Sequence, residues 1–161
     1  MAPLSKVDHS ALRTNQAMII GLSLLGYIFD MPVLAGFVGI VMAVGTLVKR
    51  PGFGAVYSKL LRPLGLVRPD ILEDNPEPHR FAQGFGSVVI LTGTITLMLG
   101  SDLLGWLLVW FVIALAALNL FAGFCVGCAM YYWLNRMSVP GFVKSPPPGT
   151  LPGMRPKTEE K

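Results

Sequence analysis

Cys125 and Cys128 are the only cysteines in the chain, and they stand three apart in Phe124-Cys125-Val126-Gly127-Cys128. Positions three apart share one face of a helix. The C-x-x-C spacing serves dithiol redox centres and half of a zinc site. A reactive thiol wants a positive neighbour to lower its pKa, and His79, Arg80 or Arg13 can supply one. The same residues admit a plainer use. Cysteine is small and packs well between membrane helices, and Gly123-x-x-x-Gly127 is a close-packing motif in the same stretch. A closed zinc site needs four ligands. His9 and His79 are the only histidines, so a two-Cys, two-His set would use all of them. Packing, dithiol and metal all stay open on spacing alone; no metal ligand set and no cofactor is assigned.

A second pattern surrounds the first. Arg13-Thr14-Asn15-Gln16 and Arg80-Phe81-Ala82-Gln83 both read R-x-x-Q. Arginine at a membrane edge ordinarily snorkels to phosphate. Glutamine is harder to place in lipid and is expected to face the bundle interior. The sharper arrangement is a pocket lined by Arg13, Gln16, His79, Arg80 and Gln83, with Cys125 and Cys128 as the candidate catalytic dithiol. Asn119 falls mid-helix, where an unpaired amide is costly, and is expected to bond across to Thr92, Thr94 or Thr96. The sequence holds no phosphate loop, no Ser-His-Asp set, no dinucleotide fingerprint and no membrane-embedded Glu, Lys or His for a proton relay.

The elements that must position these residues are apolar helices. The chain has 161 residues, 53% hydrophobic and 14% charged, with a mean hydropathy of +0.60. Soluble domains carry nearer a quarter charged residues. Asp30 is the only charge between Gln16 and Val48, and Asp102 the only one between Phe81 and Leu134. These runs predict an all-α membrane protein with four transmembrane helices, at about 11–29, 32–48, 81–100 and 103–134, arranged as two similar hairpins. The first apolar run, Ala17 to Phe29, has only 13 residues, against about 20 for a full span; its helix must start near Ser10 or Ala11. The last would reach roughly 48 Å and so tilt or project from the bilayer. Segment 53–71 carries Phe53, Val56, Tyr57, Leu60, Leu61 and Leu64 at helical spacing, as expected of an amphipathic helix on the cytoplasmic membrane surface. The expected membrane domain is 1–137. Residues 138–161 form a proline-rich cytoplasmic tail, expected to be a disordered or polyproline-like arm.

Charge sets the orientation. All 13 Lys and Arg lie in the N-terminal stretch, the middle loop or the C-terminal region, and the two short turns carry only Asp30 and Asp102. Positive residues mark the cytoplasmic side. Both termini are therefore expected in the cytoplasm of a multi-pass membrane protein. A cleavable signal peptide is the competing use of the N-terminus, with Lys6 and Arg13 as its basic region and Val33-Leu34-Ala35 as its cleavage site. Against it, the apolar character resumes at once through Val48, and Asp30 with Pro32 suits a turn between helices. The hairpins form an internal repeat, with R-x-x-Q before each, an acidic tip, and Pro-Gly-Phe after each second helix, at Pro51 to Phe53 and Pro140 to Phe142. The basic loop and tail are expected to meet anionic lipid headgroups rather than nucleic acid.

Three blocks carry a family resemblance: Val7-Asp8 with Arg13 to Gln16, the run Glu73-Asp74-Asn75-Pro76-Glu77-Pro78-His79-Arg80-Phe81-Ala82-Gln83-Gly84, and Phe124 to Cys128. From about Val7 to Met137 the chain resembles a bacterial family of small integral membrane proteins catalogued as domain of unknown function 4395. The resemblance implies a bacterial inner-membrane protein and no established activity. It also implies a thioredoxin-like or sulfurtransferase partner, which favours the dithiol. The leading expectation is a cytoplasmic-side dithiol in thiol exchange or sulfur relay. The alternatives are a non-enzymatic assembly subunit and a small-solute transporter, the latter as a dimer, for which the lack of embedded charge is unfavourable; a homo-oligomer stays open.

Overall fold

The computed structural model describes residues 4–156. It begins with a short antiparallel ribbon that the apolar patterning does not announce. Strand β1 (Ser5–Asp8) pairs with β2 (Ile71–Asp74), Ser5 opposite Asp74 and Lys6 opposite Glu73. Asp8 ends β1 and starts the first helix. Its carboxylate accepts from the Ser10 backbone N–H at 3.0 Å, an N-cap, and from the Tyr57 hydroxyl at 2.7 Å.

Helix α1 (His9–Ile28) therefore opens at His9, one or two residues before the expected start at Ser10 or Ala11, and its 20 residues give it a length of about 30 Å. Asp30 makes the tip with φ 48°, a left-handed conformation that aspartate tolerates. Pro32 opens α2 (Pro32–Leu47) at the position where its missing N–H costs nothing. A short α3 (Gly54–Val56) runs into a π turn over Tyr57–Leu61. The helix stops there, well short of residue 71, because Pro63 and Gly65 (φ 68°) cannot continue it. Pro76 opens α4 (Pro76–Met98), and α5 (Asp102–Ala122) follows the second tip. Helix α4 is central. It packs on α2, α5 and α6 (Val126–Arg136), and α1 closes the bundle against α5 and α2. The core between them holds Ile19, Val38, Met42, Ile90, Val109 and Val112.

Two expectations are corrected here. The fourth helix is not continuous over 103–134. It ends at Ala122, because Gly123 takes φ 64° and caps α5 in the left-handed conformation. Phe124 then bridges to Met154, Cys125 donates its N–H to the Gly153 carbonyl at 2.7 Å, and α6 starts afresh. The tail is not a free arm over the residues described. Phe142 stacks edge-on against Phe81 and Tyr131, and Arg155 pairs with Asp70. The last five residues of the expected tail lie outside the described residues. The protein is thus mostly helical, with the ribbon and the returning tail gathered at one end.

Of the helices, α4 and α5 are long and apolar enough to cross a membrane, and α2 is apolar but shorter.

Candidate functional site

The break after α5 makes the site. Cys125 is the N-cap of α6 and Cys128 lies in its first turn, and the two sulfurs are joined as a disulfide. The Cys125 sulfur accepts the Cys128 backbone N–H at 3.1 Å. A sulfur at that place meets the positive end of a helix, which favours a thiolate. Helix α6 is seated by Gly127. A Cβ there would stand 2.7 Å from the Ala82 Cα, so only glycine permits this approach of α6 to α4.

That approach sets Cys128 beside His79, one turn into α4. The Cys128 Sγ lies 3.4 Å from His79 Nδ1. On the far side of the ring, His79 Nε2 lies 2.9 Å from Asp74 Oδ2. An ionised carboxylate only accepts, so Nε2 carries hydrogen. In the neutral ring Nδ1 is then a free base facing the sulfur. Asp74 is itself held by the ribbon and by the Asn75 backbone N–H, which donates to Oδ1 at 2.7 Å. Burial raises the Asp74 pKa, but the hydrogen bond from His79, the close His9 nitrogen and the Asn75 amide outweigh it, and the carboxyl is held well below its ordinary range. His9 Nε2 is 3.2 Å from the same oxygen. It approaches off the hydrogen-bonding direction, and it is buried with no hydrogen-bond partner among the described residues.

These groups open onto a cavity of about 270 Å³ whose wall includes Cys125, Cys128, His9, His79 and Asp74. Arg13, Gln16, Asn119 and Arg155 also line it. Of the residues singled out from the sequence, Arg13, Gln16, His79, Cys125 and Cys128 therefore share one cavity. Arg80 and Gln83 line a different one, with Lys6, Lys49 and Arg50. Gln83 is engaged in structure: its amide donates to the Met42 carbonyl at 2.9 Å, and its oxygen accepts the Gly52 N–H at 3.2 Å. Its partner across the repeat is Asn15, which donates to it at 3.4 Å, and not Gln16. Asn119 makes no bond to the threonines. Thr92, Thr94 and Thr96 each donate to a carbonyl of their own helix, and Asn119 lines the cavity instead. A second, apolar cavity of about 290 Å³ lies behind Cys125, between Ile19, Phe85, Phe111, Leu115 and Met130.

Asp74 is the residue that sequence spacing missed. It stands five before His79, which is not helical spacing, and the pair meets because a strand end faces a helix start. The signal in the chain was Asp74-Asn75-Pro76, a strand stop and helix start directly before His79.

Fold and site together define a mostly helical protein with two membrane-length apolar helices and a C-x-x-C centre backed by a histidine and a buried carboxylate. A family model described as Domain of unknown function (DUF4395) matches residues 7–136, and the chain belongs to that family. No curated protein and no solved structure matches it.

Proposed function

We propose that this is a multi-pass membrane protein whose Cys125–Cys128 pair carries out thiol–disulfide exchange on the cytoplasmic side. The carrying observation is the disulfide at the α6 N-terminus with His79 Nδ1 3.4 Å from the Cys128 sulfur, facing an open cavity. Four spans, α1, α2, α4 and α5, with both termini in the cytoplasm, are supported by the distribution of basic residues. The outward faces of α2, α4 and α5 fit lipid, since Phe37, Ile40, Val88, Ile95, Leu103 and Leu107 are all exposed.

The residues take distinct roles. In the reduced protein, Cys125 is the attacking thiolate, stabilised by the helix N-terminus. It attacks a partner disulfide and forms a mixed disulfide; the first partner thiolate leaves and takes a proton from solvent. Cys128 then gives its thiol proton to His79 Nδ1 and attacks the Cys125 sulfur. The second partner thiolate departs with the proton held on His79, and the Cys125–Cys128 disulfide remains. Asp74 keeps the ring in the tautomer that can accept. Arg13 places positive charge at the cavity wall, which favours an anionic thiol or persulfide.

The test is trapping. The Cys128→Ser variant should accumulate a mixed disulfide at Cys125 with a small-molecule disulfide, and Cys125→Ser should not. Equal reactivity of both variants would reverse the assignment. Cysteines that label with a charged maleimide only after unfolding would remove exchange altogether and leave an assembly subunit.

A further inference from the structure

We propose that the reduced form of the centre is also a metal site, in which Cys125 Sγ, Cys128 Sγ and His79 Nδ1 hold one zinc-like ion with its fourth position open to the cavity. The site does not depend on exchange activity, since it needs only the three donors in their reduced, deprotonated forms.

Distance supports it first. The donor atoms of His79, Cys125 and Cys128 all lie within 4.8 Å of one another. Tetrahedral zinc, with its usual bonds to sulfur and nitrogen, separates an S and an N ligand by about 3.6 Å and two sulfurs by about 3.8 Å. The Cys128 Sγ to His79 Nδ1 distance is already 3.4 Å. Breaking the disulfide removes the one constraint that holds the sulfurs closer than an ion requires.

The second support is the far side of the histidine. A metal-bound imidazole normally donates its other N–H to a carboxylate, which fixes the tautomer and raises ligand basicity. His79 Nε2 makes that bond to Asp74 Oδ2 at 2.9 Å, and Asp74 is only 4% exposed. The nitrogen that must be free for a metal is the one that faces the sulfurs.

The donor set decides the ion. Two thiolates and one imidazole suit a borderline-soft cation without redox chemistry of its own. Three protein ligands with an open fourth place is the pattern of sites that bind an exogenous ligand rather than of structural ones. The same cavity is lined by Arg13, and by Arg155 in its pairing with Asp70, so Arg13 supplies the positive charge that suits an anionic ligand there. Oxidation to the disulfide removes two of three donors. The ion is therefore bound only in the dithiol state and is released on oxidation.

The experiment uses the full chain in detergent, reduced with a phosphine under nitrogen, and titrated with Zn²⁺ against a chromophoric chelator. One Zn²⁺ per chain is expected, lost on oxidation with diamide. His79→Ala should weaken binding at least tenfold. Asp74→Asn should weaken it about 10–100-fold, as loss of such an outer partner does elsewhere. Co²⁺ should give a tetrahedral visible spectrum with a thiolate-to-metal charge-transfer band, a readout of wild type that stands even where a variant fails to fold. The site is overturned if reduced wild type holds Zn²⁺ no better than the Cys125→Ser/Cys128→Ser double variant, or if Co²⁺ stays octahedral without that band. A chain that cycles between dithiol and disulfide but binds no Zn²⁺ loses this site alone. One that binds Zn²⁺ but never exchanges keeps it.

Discussion

At the residue scale the centre turns on one imidazole with two different neighbours. His79 meets a sulfur through Nδ1 and a carboxylate through Nε2. Replacing it with alanine removes the base of the proposed second exchange step while leaving Cys125 at its helix terminus. General-base loss commonly costs at least about 100-fold. His79→Ala should therefore slow resolution of the mixed disulfide by about that factor while its formation changes little, as stopped-flow release of a chromogenic thiol will show. Asp74 gives a stability prediction with a definite sign. Its folded carboxyl is held below its ordinary pKa, so its contribution is fully present above the unfolded value of about 3.9 and is lost as pH falls below it. The melting temperature should hold down to about pH 4 and fall progressively below it. Asp74→Asn should flatten that drop and cost about 2 kcal/mol at neutral pH through weakened charged hydrogen bonds. A variant with an undiminished acid slope would mean that another carboxylate governs it.

At the element scale, the position of α6 decides whether cysteine and histidine meet. Gly127 lies against Ala82 so closely that any side chain must push the helices apart. Gly127→Val should destabilise the fold by about 1–3 kcal/mol. The pH profile of its dithiol should also move to higher pH, toward that of an ordinary thiol, because Cys128 moves off His79. Iodoacetamide alkylation rates across pH 5–9 will read this, and a profile like wild type would show that α6 adjusts without moving the sulfur. The motif Gly123-x-x-x-Gly127 was visible in the sequence as a packing signal, and Gly127 does pack. Gly123 does something else: its positive φ ends α5, which turns a predicted long helix into two and exposes a new N-terminus at Cys125.

At the scale of the whole molecule, the returning tail and the ribbon complete the site. Gly153 accepts the Cys125 N–H, and Met154 and Arg155 form part of the cavity wall. Deleting residues 138–161 should leave the helices formed, as judged by far-ultraviolet circular dichroism. Maleimide labelling of the reduced cysteines should rise several-fold. Unaltered labelling would show that the tail does not cover them. The proposed topology has its own check. Single cysteines placed at Asp30 and Asp102, in a chain lacking Cys125 and Cys128, should react with an impermeant reagent from outside intact cells. One at Lys59 should react only after the membrane is opened. Any other pattern overturns the four-span arrangement.

What the sequence determined by itself was set by composition and local chemistry. The apolar runs and their near-absence of charge specify helices and their turns at Asp30 and Asp102, because these are properties of contiguous residues. The C-x-x-C spacing marked the dithiol, and the nearby positive groups marked His79 and Arg13 as candidates. What only the tertiary structure decided were the meetings between distant segments. The pairing of β1 with β2 brings Asp74 and His9 to His79. The tail reaches back from Gly153 to Cys125 at the start of α6. Gln83 stands outside the cysteine cavity and clamps the end of α2. None of these follows from periodicity, because each depends on backbone hydrogen bonds and close packing between segments whose separation along the chain carries no local signal.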